Sequence, residues 1–111
     1  MPETLPKSER LCGQTAVAAL FEHGKTHSEG CLRMRYVSRP DGEASRIVVS
    51  VPKRIFKRAV KRNLLKRRIR ESYRRRKPGP GWDILFIYTS RELCTFVQID
   101  ADMEKLLEAL R

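Results

Sequence analysis

Placed at 100° per residue, Asn63, Lys66, Arg67, Arg70 and Arg74 share one face of a helix. At 1.5 Å per residue that row spans about 16 Å, enough to follow several consecutive phosphates. Arginine predominates in it. A guanidinium fork pairs with phosphate through two hydrogen bonds or stacks on an unpaired base, which a lysine ammonium cannot do. Asn63, uncharged among cations, can donate to a phosphate or sugar hydroxyl and accept from a neighbouring guanidinium. The chemistry of this row is recognition of a polyanion.

The other reactive side chains point to no reaction. His23 and His27 flank Gly24 in an expected loop without the cysteine or carboxylate partners of a metal set. Asp100 and Asp102 could imitate a metal pair, but either is better used as the cap of a C-terminal helix. Cys12, Cys31 and Cys94 are odd in number and lack C-x-x-C spacing, so they suggest neither a disulfide framework nor a zinc knuckle. They read as buried small hydrophobes in a reducing cytoplasm. No metal is expected on the protein.

Charge distribution sharpens the polyanion reading. Lys53 to Lys77 holds 14 of the 24 Lys and Arg residues and one of the 13 acids, a net of +13. What remains has 10 cations and 12 acids, a net of −2, so a near-neutral domain carries one intensely positive element. Mixed-sign pairing within the helix cannot explain such a run. Unneutralised, it repels itself by about 1 kcal/mol per close pair in water.

Several elements must hold this row in place. With 111 residues the chain suits one domain, read as residues 1–111, with residues 1–12 an extended lead-in. The first residues lack the apolar run of a signal peptide, and no stretch is long enough to span a bilayer. Helix formers over Gln14 to Glu22 predict a short helix ended by a left-handed Gly24. Alternation predicts strands over Cys31 to Val37 and Arg46 to Val51, joined as a hairpin through Arg39-Pro40-Asp41-Gly42. A long basic helix over Phe56 to Arg76 follows, docked by Leu65, Ile69 and Tyr73 and stopped by Pro78-Gly79-Pro80-Gly81. Trp82 to Tyr88 reads as a central strand because Ile84 to Ile87 is apolar on both faces. Met103, Leu106, Leu107 and Leu110 mark a last amphipathic helix. The architecture is a single α+β domain.

The segment Ser50-Val51-Pro52-Lys53-Arg54, with Ala59-Val60-Lys61-Arg62-Asn63-Leu64-Leu65-Lys66-Arg67-Arg68-Ile69-Arg70-Glu71, resembles the signature of the bacterial ribonuclease P protein family. That signature places Lys-Lys or Lys-Arg after a strand, then Ala-Val-x-Arg-Asn-x-x-Lys-Arg-x-x-Arg-Glu on a helix. The likeness extends more loosely over nearly the whole chain. It departs at Leu64, where a second arginine is usual, at Phe56-Lys57-Arg58, one residue longer than usual, and at Val17, a commonly aromatic position.

The resemblance implies a small two-layer α/β sandwich with a mixed sheet of about four strands and the basic helix in a left-handed crossover, the fold of a domain of a small-subunit ribosomal protein. It implies a subunit of an endoribonuclease in which the RNA component carries the catalysis, with Mg2+, and this chain assists removal of the 5′ leader of precursor tRNA. Its partners would be ribonuclease P RNA and precursor tRNA, with no membrane and no obligate protein partner. Catalytic residues would be absent. By motif position RNA contacts would come from Arg62, Asn63, Lys66, Arg67 and Arg70, with Lys53 and Arg54 at the strand exit. Lys57, Arg58, Lys61 and Arg74 extend that basic surface. A cleft between the first helix and the sheet would receive the leader, with Phe21, Arg33, Arg35 and Tyr36 at its walls; Phe21 reads equally as a core residue of an amphipathic first helix. The rival readings are a ribosomal-type RNA-binding structural protein, a DNA-binding regulator and an independent nuclease. The first usually carries basic tails, the second sets its recognition helix after another helix, and the third needs acids this chain lacks.

Overall fold

The computed structural model describes residues 20, 22–39, 42 and 44–110. The lead-in over residues 1–12, Cys12, Val17, Phe21, Pro40 and Asp41 lie outside the described residues, as does the expected first helix before Leu20. Leu20, Glu22 and His23 are helical and mark its end. Then follow β1 (Lys25–Glu29), β2 (Leu32–Ser38), β3 (Arg46–Ser50), α1 (Ala59–Arg75), β4 (Trp82–Tyr88) and α2 (Phe96–Glu108).

The sheet order is β1-β2-β4-β3. β2 pairs antiparallel with β1 and β4, whereas β3 pairs parallel with β4. The hairpin expected between β2 and β3 is therefore absent. β4, apolar on both faces, takes the place between them. β2 instead turns back on β1 through Gly30, whose φ of 51° suits glycine and whose missing Cβ would stand 2.3 Å from an Asp102 oxygen. The edge strand β1, Lys-Thr-His-Ser-Glu, carries no apolar alternation and its side chains are mostly exposed, so periodicity does not reveal it. His27, expected in a loop, lies on this strand.

Both helices cover one face of the sheet. Leu65, Ile69 and Tyr73 of α1 and Ile99, Met103, Leu106 and Leu107 of α2 enclose a core with Leu32, Met34, Ile47, Val49, Ile84, Phe86 and Tyr88. On the other face Leu20 packs with Leu85 against Val37, Val48 and Ile87. Gly24 does not take the left-handed cap expected of it. Its amide donates to the Leu20 carbonyl at 3.0 Å, and a Cβ there would lie 2.2 Å from that oxygen.

Two helix starts differ from the sequence expectation. α1 begins at Ala59, not Phe56, because the Phe56 ring is drawn into the core, 5.9 Å from that of Tyr88. The amides of Ile55 and Phe56 both reach the Pro52 carbonyl, closing a turn that separates β3 from the helix. α2 is capped by Thr95, not by Asp100 or Asp102. The Gln98 amide donates to Thr95 Oγ1 at 3.3 Å and the Thr95 amide donates to Gln98 Oε1 at 2.9 Å. This capping box starts the helix a turn earlier and frees both aspartates for other work.

Candidate nucleic-acid interface

Packing divides the cations of α1 into two sets. Leu65, Ile69 and Tyr73 fix the core-facing side, so Asn63, Arg67, Arg70 and Arg74 are carried outward as exposed residues, with Lys66 half-buried at the edge of the row. Lys53, Arg54, Lys57, Arg58 and Lys61 are exposed ahead of it, in the turn after β3 and the first turn of the helix. Arg54 also joins Arg91, Ile55 and Thr89 around an open cavity of about 320 Å³. Arg91 belongs to no motif, and sequence gave no signal for it.

The second set holds the protein together. Arg62 donates from Nη1 to the carbonyls of Phe56 and Lys57 at 2.8 and 2.7 Å, bracing the entrance to α1. Expected as an RNA contact, it is placed on the protein's own backbone. Arg68 Nη1 donates to the Cys94 carbonyl at 2.6 Å, and the Arg75 guanidinium lies 5.7 Å from the Phe96 ring centroid. Both tie α1 to the start of α2. Arg76, at the C-cap of α1, grips Asp100 through Nε and Nη2, each at 2.9 Å, and Ser72 Oγ donates to the same carboxylate at 2.6 Å.

Hydrogen bonding from Arg76 holds the Asp100 carboxyl at about 2, below its usual 3.8, with Ser72 adding to the effect against a smaller opposing push from burial. A carboxylate depressed on folding contributes stability that is complete above about pH 4 to 5 and is lost as pH falls through about 2. Asp100→Asn should therefore cost roughly 1–2 kcal/mol at pH 6, measured by urea unfolding, and that deficit should shrink steadily below pH 4. A deficit independent of pH would contradict the charge-based account.

The residues expected at a leader cleft do not share one surface. Arg33 and Arg35 lie opposite Ile87 and Leu85 in the ladder, on the sheet face covered by Leu20. Arg33 is exposed there. Arg35 donates from Nε and Nη2 to the Leu20 carbonyl at 3.1 and 3.0 Å and from Nη1 to Thr26 Oγ1 at 3.0 Å. It thus adds two donors to a helix-end carbonyl that the Gly24 amide also reaches, and clamps the helix end to the sheet. Tyr36 belongs to the opposite face, where its ring meets Trp82 edge-on at 5.7 Å beside the main core. The period of two that puts Arg33 and Arg35 on one side necessarily puts Tyr36 on the other. Phe21 lies outside the described residues.

Known proteins share the sequence pattern and the fold of this chain. The sequence model of the family described as Ribonuclease P matches residues 5–111. The chain belongs to the ribonuclease P protein family. The ribonuclease P protein component of Porphyromonas gingivalis is 36% identical over 115 residues, covering 93% of this chain and 83% of that protein. That of Picosynechococcus sp. is 32% identical over 107 residues, covering 93% and 90%. In fold the chain is similar to the RNase P protein of Staphylococcus aureus, with a TM-score of 0.82 at 22% identity over 95% of this chain and 97% of that one. The RNase P protein from Thermotoga maritima gives a TM-score of 0.80 at 24% identity over 93% and 98%.

Within this ribonuclease P chain the remaining reactive groups serve the fold. The Cys31 amide and thiol both donate to Asp102 Oδ2, at 3.0 and 3.1 Å, which fastens the β1–β2 turn to α2. Burial first, then that hydrogen bond, pushes the Cys31 thiol well above the usual thiol range, so it stays protonated and unreactive. His23 and His27 lie 3.6 Å from Glu22 and Glu29 respectively. Among the described residues no group of three or more His, Cys, Asp or Glu side chains could hold a metal ion. Among them, too, no helix is long and apolar enough to cross a membrane.

Proposed function

We propose that the outward row of α1, Asn63, Lys66, Arg67, Arg70 and Arg74, lies along closely packed phosphates of ribonuclease P RNA, extended by Lys53, Arg54, Lys57, Arg58 and Lys61. The observation that carries this reading is the placement of the row on its helix. Asn63, Arg67, Arg70 and Arg74 are exposed, and Leu65, Ile69 and Tyr73, buried on the other side of the same helix, hold them in register. Arginine forks fixed in this way bind phosphate with little further ordering.

The sheet face beneath Leu20, with Arg33 at its surface and Arg35 fixing the helix end, is our assignment for the single-stranded leader of precursor tRNA. In this reading the protein acts in the cytoplasm. It raises affinity for precursor over mature tRNA, and the RNA performs the endonucleolytic step. Mg2+ held by RNA phosphates would supply the Lewis-acid chemistry of that step, and no residue of this chain is assigned to it. By neutralising neighbouring phosphates, the protein lowers the cost of bringing the RNA strands together and so lowers the Mg2+ needed.

Reconstitution tests it. At low Mg2+, ribonuclease P RNA with precursor tRNA should release the leader only when the protein is added, and the protein alone should cleave nothing. Equal cleavage with and without the protein across a Mg2+ titration would reject the proposal.

A further inference from the structure

The outer side of α1 is not uniformly cationic. Beside the row, at about 60° and 100° from Asn63 around the helix axis, stand Val60 and Leu64, with Glu71 between them in angle and two to three turns further along. Val60 is 79% exposed, more than any other large hydrophobic residue among those described, and Leu64 is half-buried. Glu71 is the only acid in the helix. One exposed valine is ordinary. Two apolar side chains four residues apart on a helix whose other outward positions, Ala59 and Asn63 apart, are ionic, followed on the same flank by its lone carboxylate, form a strip that offers phosphate no donor where the neighbouring row offers several.

An RNA strand has the same two-sided character. One edge carries phosphates, and the other presents the apolar C–H faces of ribose and the base edges, together with 2′-hydroxyl donors. We infer that Val60 and Leu64 seat the ribose and base edge of the strand whose phosphates lie on the Lys66, Arg70 and Arg74 row, with Glu71 accepting from a 2′-hydroxyl or an exocyclic amine. This rests on the proposed function and adds a polarity to it. The helix binds the strand with its phosphates on one side only, so an apolar contact sets the strand's rotation about its own axis.

The two contributions separate by salt. Phosphate contacts weaken as salt rises, by a slope of about 0.7 to 0.9 per phosphate in log–log form, while apolar contacts do not. Binding of labelled ribonuclease P RNA would be followed by fluorescence anisotropy across a KCl series, with helicity checked by circular dichroism. Val60→Ser with Leu64→Ser should weaken binding about 5- to 10-fold at every KCl concentration with the slope unchanged. Leu64→Arg should steepen the slope by nearly one unit. Arg67→Ala with Arg70→Ala should make it shallower.

Binding of the double serine variant within about two-fold of the parent, or a loss that disappears at high salt, would overturn the inference while leaving the row intact. An unchanged slope for the double alanine variant would instead overturn the reading of the row, and the flank with it. Should the double serine variant lose helicity, Val60→Ser alone carries the test, since its side chain stands in solvent, with a loss of about 3-fold expected at every salt and none overturning the inference.

Discussion

Alanine at Asn63, Arg67 and Arg70 together should lower affinity for ribonuclease P RNA by roughly 100-fold at moderate salt. The magnitude follows from losing two charge-assisted phosphate contacts, each about 1.5–3 kcal/mol, and one amide contact, less the part that water and neighbouring cations recover. The slope of log affinity against log salt should also fall, by about 1.4 to 1.8, because two phosphates are no longer neutralised by the protein. In cleavage assays the Mg2+ midpoint should rise. All three side chains lie outside the core, so the urea midpoint should stay near that of the parent. Intact folding with unchanged affinity and Mg2+ dependence would refute the assignment of this row.

Tyr73→Ala attacks the same surface from behind. Tyr73 is 1% exposed and its ring centroid lies 5.9 Å from that of Phe86 on the central strand, so truncation opens a cavity where α1 meets the sheet. Removing an aromatic ring from such a site costs about 3–5 kcal/mol, against the roughly 5–15 kcal/mol that holds a domain together. Urea denaturation should place the variant at the margin of folding at 37 °C. Because RNA binds the folded form alone, saturating RNA should restore much of the lost thermal stability. Tyr73→Phe should retain most of it. A loss below about 1 kcal/mol in the alanine variant would mean that α1 is held chiefly by its polar ties to α2.

Those ties mark where sequence reasoning was strong and where it stopped. The core side of α1 was legible in Leu65, Ile69 and Tyr73 because a helical period of 3.6 leaves a clear trace. The central strand was legible in Ile84 to Ile87, which only a place covered on both faces would make apolar throughout. Strand β1 was not, since an edge strand with few buried side chains leaves no alternation to read. The partner of β2 was equally hidden, because whether a strand pairs with its sequence neighbour or with one beyond a helix depends on tertiary packing. At the site, the chain shows which residues are cationic but not what each one touches. Arg62, Arg68 and Arg76 look in sequence like any other arginine of the basic run, and only the structure shows that their guanidinium groups end on a carbonyl or a carboxylate of the protein. Tyr36 was misplaced for a simpler reason: its position in the alternation of β2 already set it against Trp82.

Since β3 and β4 are hydrogen-bonded neighbours running in the same direction, α1 is the only chain joining them, and the sheet cannot close without it. The basic surface of α1 is therefore not an appendage that could be trimmed or lengthened independently. One extra residue within α1 would turn everything after it by about 100°, carrying guanidinium groups toward the core or leucines toward water.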